Sequence, residues 1–182
     1  MAALSWPLAH NTIRQQVRNN AFGKVRNGGT RPHQGWDLYA PMFTPCYAIA
    51  DGKVEWARPM GALGNLVLLR FQYGRRTYWA AYAHLGVIFA QEQALVAKNE
   101  VIALTGTSGN AASMQGDDLH LHFEIRLTPF PGTGLGGRID PAVLYGYAPI
   151  GTPMIQRRGV SRAASGTKGL LVPGVNVLEG SQ

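Results

Sequence analysis

Short apolar runs, separated by glycine, proline and polar residues, fill the part of the chain between Asp37 and Tyr145. Runs of this kind, rich in β-branched and aromatic residues, are typical of β-strands. One of them alternates between polar and apolar residues in strict period two. The predicted strands are Cys46–Ala50, Lys53–Ala57, Asn65–Phe71, Thr77–Ala83, Val101–Leu104 and Leu119–Leu127. The pattern therefore predicts a mainly β chain.

The sequence between and beside these runs predicts only tight turns and short helices. The dipeptide Asp51-Gly52 is typical of a tight β-hairpin turn. A short helix is predicted to begin within Thr12–Val17 with Asn11 as its N-cap, and a closing turn or short helix within Asp140–Tyr145. The abundance of turn formers, 23 glycines and 11 prolines, also favours short strands over long helices.

A chain of 182 residues suits one domain and can bury a hydrophobic core. We expect an N-terminal extension at residues 1–21, a β domain at 22–147 and a C-terminal tail at 148–182, in which Gly169–Leu178 could add a hairpin. No apolar run approaches the roughly 18 residues that a membrane-spanning helix needs. We therefore predict no membrane span, and we expect a monomer.

The formal net charge of +7 attracts polyanions such as nucleic acid, an anionic membrane or an acidic cell wall. Nucleic acid is not an expected partner, because the basic residues form no dense run with interleaved aromatics. The single cysteine, Cys46, excludes an internal disulfide and a cysteine-built zinc site. It lies in an apolar run and is predicted to be buried. Any metal must therefore be bound by histidine and carboxylate side chains.

Two of the five histidines lie in one predicted strand, beside a glutamate. Because side chains alternate along a strand, His120, His122 and Glu124 share one face, while the apolar residues between them enter the core. Two histidines backed by apolar packing form a rigid platform for binding a metal. The alternative is the polar outer face of an ordinary strand.

A second histidine segment lies far upstream, where His33 and Asp37 stand four residues apart. Pro32 and Gly35 disfavour a helix there, and a tight turn entering a strand could direct both side chains toward one zinc ion. A surface histidine beside an aspartate is the alternative, as is a structural role for His84 at the end of another strand. Taken together, His33, Asp37 and one histidine of the later pair supply three ligands, the arrangement of a catalytic zinc with one open position.

The order of these motifs resembles the lysostaphin-like, or LytM-type, zinc endopeptidases. Their signature is His-x-x-x-Asp followed far downstream by His-x-His, here His33 to Asp37 and His120 to His122. Further similar segments, in the expected order, are Asp37–Pro41, Ala50–Val54, Gly64–Val67, Tyr82–Leu85 and Asp140-Pro141. The resemblance implies a compact antiparallel β-sheet domain with few short helices, and a zinc ion in a groove floored by strands.

The resemblance also implies a role for each motif residue. His33, Asp37 and His122 would bind one Zn²⁺. His120 would act as general base or general acid, and His84 would stabilise charge on the attacked carbonyl.

Other residues near these motifs are candidates for supporting roles. Arg31 and Asn65 could contact carboxylate or carbonyl groups of a substrate, with structural roles as the alternative. Glu124 could support a ligand histidine, with a surface or structural role as the alternative. The loop Gly109–Asp118 is longer than is typical of the family, and Pro129–Arg138 resembles an insertion.

The resulting hypothesis is a zinc metalloendopeptidase that hydrolyses cross-links or stem peptides of bacterial peptidoglycan. The alternative is a non-catalytic domain of the same fold that binds and regulates a cell-wall amidase. Residues 1–9 lack the basic start and the apolar run of a signal peptide. We therefore expect synthesis in the cytoplasm and action in the periplasm or cell wall after delivery outside the general secretory route. The protein would be a phage lysin, or an antibacterial toxin effector of a secretion machine such as type VI with a periplasmic immunity protein as partner. A sequence from which a signal peptide has been removed is the alternative.

Overall fold

The computed structural model describes residues 3–151, 153–157 and 160–163. Two short helices are present in this part, α1 (Val17–Asn20) and α2 (Ala142–Tyr145). The strands are β1 (His10–Asn11), β2 (Gly23–Arg26), β3 (Arg31–His33), β4 (Trp36–Tyr39), β5 (Pro45–Tyr47), β6 (Gly52–Pro59), β7 (Asn65–Tyr73), β8 (Arg76–Ile88), β9 (Leu95–Val96), β10 (Val101–Thr105), β11 (His120–Arg126), β12 (Arg138–Ile139), β13 (Met154–Arg157) and β14 (Val160–Ala163). The mainly β prediction is confirmed, and no described helix is long and apolar enough to span a bilayer.

A nine-stranded antiparallel sheet forms the body of the domain. Its main path runs β12-β11-β8-β7-β6-β9, with β4 beside β11 and β10 linking β5 to β8. The longest pair, β7 and β8, is joined by a tight turn in which Gly74 has a φ of 63°, a conformation that glycine adopts without strain. The predicted strands 65–71 and 77–83 thus form one hairpin at the centre of the sheet.

The main hydrophobic core packs against one face of this sheet. The apolar residues of β11, Leu121, Phe123 and Ile125, are fully buried in it, as period-two alternation predicts. The ring of Phe123 meets that of Tyr82 on the neighbouring strand edge to face, with centroids 5.3 Å apart. The polar residues of β11 are buried as well, so its second face is not an ordinary solvent face.

Residues 3–21, predicted as an extension, are packed into the same core. Trp6, Leu8 and Ile13 are buried, and the ring of Trp6 stacks on that of Tyr145 at 4.2 Å between centroids. The segment is short and lacks periodicity, so its apolar side chains gave no sign of the partner they pack against. Asn11 is not a helix cap, because its side-chain amide bonds the backbone of residues 8 and 154 instead.

The C-terminal region also contains structure where a tail was predicted. β13 pairs with β1 and with β14, which forms a small three-stranded sheet. The hairpin predicted at Gly169–Leu178 lies outside the described residues.

The hairpin predicted at Asp51-Gly52 is wrong. β5 pairs with β10, whereas β6 pairs with β7 and β9, so the strands on either side of this dipeptide are not partners. Glycine is required at position 52 for another reason: a Cβ there would lie 2.4 Å from the carbonyl oxygen of Arg70 on β7. The Asp51 carboxylate accepts a hydrogen bond from the backbone N–H of Lys98.

Candidate metal centre

Three side chains from three strands converge on the face of the sheet opposite the main core. β4 pairs with β11 in a register that places Asp37 opposite His122, and His33 ends β3 just before β4. Asp37 Oδ1 lies 3.0 Å from His33 Nε2 and 2.8 Å from His122 Nδ1, and the two nitrogens are 3.2 Å apart. The three candidate zinc ligands predicted from the sequence therefore form one compact triad, and all are buried.

Gly35 permits this convergence. A Cβ at this position would lie 2.2 Å from the carbonyl oxygen of Phe123, so only glycine allows the β3–β4 turn to approach β11 so closely. The turn brings His33 Nε2 and Asp37 Oδ1 to 3.0 Å from each other.

The remaining ring nitrogens of the two ligand histidines are held by hydrogen bonds that fix the tautomers. His33 Nδ1–H donates to the carbonyl oxygen of Ala21 at 2.8 Å, and His122 Nε2–H donates to Glu124 Oε1 at 3.0 Å. His33 Nε2 and His122 Nδ1 consequently face Asp37 Oδ1. Without a metal, these close contacts need a proton on a ring nitrogen, and a bound cation would take the place of that proton.

The donor set and its spacing fit zinc. Tetrahedral bonds of about 2.0–2.1 Å separate neighbouring ligand atoms by about 3.3 Å, close to the distances observed here. The electrostatics favour a cation: burial by itself lowers the pKa of His122, but hydrogen bonds with Asp37 and Glu124 raise it to about 9. Burial alone would raise the pKa of Asp37, yet hydrogen bonds with His122 and His33 hold it well below its usual range.

The second oxygen of Asp37 is held by arginines that the sequence patterns did not indicate. Arg26 Nη2 donates to Asp37 Oδ2 at 2.7 Å, and Arg14 Nε lies 4.0 Å from the same oxygen. Arg14 Nη1 also bonds the Asp118 carboxylate. This arrangement leaves Oδ1 as the oxygen that faces the metal position.

Glu124 is buried and hydrogen-bonded to His122, a contact that fits the predicted supporting role. Its Oε2 accepts hydrogen bonds from Arg126 Nε at 2.6 Å and from Arg138 Nε at 3.0 Å, while Oε1 orients His122. A carboxylate with only 1% of its surface exposed needs such partners. Its position two residues after His122 in a strand was the sequence signal for this role.

His120 and His84 lie beside the triad, and each is oriented by a backbone carbonyl. His120 Nδ1–H donates to Asp118 O at 2.7 Å, and His84 Nδ1–H donates to Ser108 O at 2.9 Å. Their ring centroids are 5.2 Å apart, and His84 is 5.9 Å from His122. Ser108 immediately precedes the long loop 109–118 and Asp118 ends it, so this loop helps to position the two histidines.

Among the described residues, Nε2 of neither histidine makes a hydrogen bond, so this nitrogen is available for proton transfer. His120 Nε2 is 3.6 Å from Asp37 Oδ1, at the edge of the metal position. Burial lowers the pKa of His120, and burial together with His122 and His120 lowers that of His84 to about 4. Both rings are therefore neutral at neutral pH, and Nε2 can accept a proton.

Neither of the two predicted substrate contacts, Arg31 and Asn65, makes a described hydrogen bond with the side chains of this cluster. Arg31 is exposed at the start of β3 and makes no described hydrogen bond or ion pair with the five site residues. The side chain of Asn65 donates to the carbonyl oxygen of Leu85 at 3.1 Å, and its backbone N–H donates to Ser108 Oγ. Asn65 thus braces the sheet next to His84, and substrate contact stays a prediction for both residues.

Comparison with known proteins places this site in a family. The sequence pattern of Peptidase family M23 matches residues 31–141, which contain all five site residues. The chain belongs to this family. Its members are zinc metallopeptidases, and the His33–Asp37–His122 triad fits the metal site that such enzymes need.

Several relatives carry functional names. The chain is 32% identical over 111 residues to the Peptidoglycan DD-endopeptidase ShyA of Vibrio cholerae, which covers 61% of this chain and 24% of that protein. It is 32% identical over 126 residues to the Cell division protein DipM of Caulobacter vibrioides, covering 69% of this chain and 18% of that protein. The chain therefore spans about a quarter or less of the length of these relatives.

Solved structures share the fold. A zinc-containing peptidase from Vibrio cholerae aligns with a TM-score of 0.55 at 28% identity, over 68% of this chain and 36% of that one. The catalytic domain of lysostaphin from Staphylococcus simulans aligns with a TM-score of 0.54 at 22% identity, over 67% and 85%. The lysostaphin-like fold predicted from the motifs is confirmed.

Proposed function

We propose that this protein is a zinc metalloendopeptidase that hydrolyses peptide bonds in bacterial peptidoglycan. The observation that supports the proposal is the combination of a triad that could hold a metal with two further histidines beside it, each oriented through Nδ1 by a backbone carbonyl. Three protein ligands leave a zinc position open for water and substrate, as in catalytic rather than structural sites.

The residues divide the reaction between them. Zinc, when bound, would supply Lewis-acid activation of water and of the scissile carbonyl. His120 Nε2 takes a proton from the attacking water and delivers it to the leaving amine, because its Nδ1 is already bonded to Asp118 O. His84, whose Nδ1–H is likewise engaged, is neutral at neutral pH and could donate to the developing oxyanion only after its Nε2 takes up a proton during the reaction.

Peptidoglycan is proposed as substrate because three relatives at 32–33% identity are named peptidoglycan DD-endopeptidases. The formal charge of +7 suits an acidic cell wall. The alternative, a non-catalytic regulator of an amidase, is disfavoured because all five positions are intact and assembled. Delivery as a phage lysin or as a secreted effector with an immunity protein stays a prediction.

A digestion of purified sacculi tests the proposal. The zinc-loaded protein should release soluble peptides with new amino termini, and mass spectrometry of the fragments should identify the bond that is cut. Chelation or His120→Ala should abolish release, with zinc content retained in the variant. Undiminished release by His120→Ala would exclude the assigned base, and no release by zinc-loaded wild type would favour the regulatory alternative.

A further inference from the structure

The glycine-rich segment 128–137, which joins β11 to β12, is linked to a metal ligand through two charged side chains. His122 Nε2–H donates to Glu124 Oε1 at 3.0 Å, and Glu124 Oε2 accepts from Arg138 Nε at 3.0 Å. Arg138 Nη1 then donates to the carbonyl oxygens of Gly132, Gly134 and Gly136 at 2.9, 3.2 and 3.2 Å. A continuous hydrogen-bonded path therefore runs from the metal position to this segment.

Arg138 occupies a special place among the partners of Glu124. Arg126 also bonds this carboxylate, at 2.6 Å, but within the described residues only Arg138 bonds both Glu124 and the segment. The Glu124 carboxylate is buried and bonded on both oxygens, so it cannot turn toward a displaced Arg138 without weakening its bond to His122.

The segment depends on this guanidinium for its shape. Three of its carbonyl groups converge on one nitrogen of Arg138, and Gly134 and Gly137 hold positive φ angles of 59° and 68°. Apart from Arg138, the segment is held by the bond from Leu127 N–H to Gly137 O, by the Gly136–Thr133 turn and by the packing of Phe130 on Trp56. Glycines have high conformational freedom, so loss of Arg138 would release the segment.

The far end of the segment reaches across the sheet on the metal side. The ring of Phe130 packs on that of Trp56 at 4.8 Å between centroids, although Phe130 itself is 74% exposed. Trp56 belongs to β6, three strands from β11 in the sheet order, which corresponds to about 14 Å. Trp56 packs with Leu68 and Ala81 in a cluster apart from the main core, on the face that carries Glu124. The segment therefore forms a wall beside the metal centre.

We propose that Arg138 is a positioning residue that couples the order of this wall to metal binding. A cation at His122 Nδ1 makes Nε2–H a stronger donor to Glu124, which holds Arg138 and thereby the three carbonyls. Coupling of two equilibria is reciprocal, so an ordered wall must also strengthen metal binding. The inference rests on the proposed function in one respect, namely that the metal is zinc.

Three proteins test the coupling: wild type, Arg138→Gln and Arg138→Lys, each as the full chain. Zinc affinity is measured by competition with a chelator, and the order of the wall by amide hydrogen exchange at residues 132–138 with and without zinc. We expect zinc to slow exchange in wild type, and Arg138→Gln to bind zinc about 10–100-fold more weakly and to lose the zinc effect on exchange. Arg138→Lys should be intermediate, because an ammonium cannot reach Glu124 and three carbonyls in the same fixed geometry.

The matched control is Arg76→Gln, which removes an exposed arginine at the start of β8. It should leave zinc affinity and exchange unchanged. The inference is overturned if Arg138→Gln loosens the wall but binds zinc as tightly as wild type. If that variant does not fold, the wild-type measurement decides the question. Equal rates of amide hydrogen exchange at residues 132–138 with and without zinc would contradict the coupling. None of these measurements requires hydrolysis, so a protein that shows the coupling but releases nothing from sacculi refutes only the proposed function.

Discussion

Replacing Gly35 by alanine should separate the ligands of the triad. The added Cβ would lie 2.2 Å from the carbonyl oxygen of Phe123, whereas contacts shorter than 3.0 Å are essentially never seen and 3.4 Å is ordinary. The β3–β4 turn must therefore move away from β11 by 3.0 − 2.2 = 0.8 Å to 3.4 − 2.2 = 1.2 Å. His33 and Asp37 lie on the side that moves and His122 on the side that stays.

A displacement of this size is large for a metal site, because ligand distances tolerate only about 0.2 Å. We expect zinc affinity of Gly35→Ala to fall at least about tenfold, with a loss of about 1–3 kcal/mol in the free energy of unfolding of the metal-free protein. Chelator competition measures the first quantity and urea unfolding in chelator the second.

Gly151→Ala is the matched control, since its Cβ would meet nothing within 4 Å and it lies outside the triad and the segment 128–137, so it carries only the cost of about 1–2 kcal/mol for alanine at a φ of 71°. It should bind zinc like wild type. If Gly35→Ala bound zinc as tightly as wild type, the close approach of the β3–β4 turn to β11 would not be what assembles the site.

Further predictions concern the residues around the triad. His84→Ala should lower kcat by about 100- to 1000-fold with zinc content unchanged, as measured by sacculus digestion and metal analysis. Arg26→Gln should weaken zinc binding about tenfold by freeing Asp37 Oδ2, whereas Arg18→Gln, at an exposed position, should not. Burial lowers the pKa of His84 to about 4, so its contribution to stability is full above pH 6.5 and lost as pH falls toward 4. Metal-free wild type should therefore lose more stability across that window than His84→Gln. The buried Cys46 thiol, whose pKa burial raises, should react with thiol reagents only after unfolding.

The residues of the site were predictable because their spacing encodes geometry. Alternation in β11 places His120, His122 and Glu124 on one face in any strand, whatever it pairs with. The His33–Asp37 spacing and the downstream pair matched a family signature, which supplied the convergence that spacing alone left open. The structure brings all five proposed zinc and catalytic residues together.

The supporting contacts were not predictable by the same means. His33, His84 and His120 are oriented by backbone carbonyls, which every residue possesses and which leave no mark on the sequence. Arg26 and Arg14 reach Asp37 from segments whose path depends on tertiary packing.

Which strands pair with each other could not be predicted from local sequence patterns either. Asp51-Gly52 has the composition of a hairpin turn, but the strands beside it find other neighbours in the sheet. Trp6 lies in a segment without periodicity, and its burial against Tyr145 depends on a contact between residues about 140 positions apart in the chain.

The most direct test of this account is a crystal structure of the zinc-loaded protein with anomalous diffraction at the zinc edge. We predict one anomalous peak about 2.0–2.2 Å from His33 Nε2, Asp37 Oδ1 and His122 Nδ1, with solvent in the fourth position. His120 and His84 should stay outside bonding distance of the ion. A peak elsewhere, or a fourth protein ligand that closes the coordination, would contradict a catalytic zinc at this site.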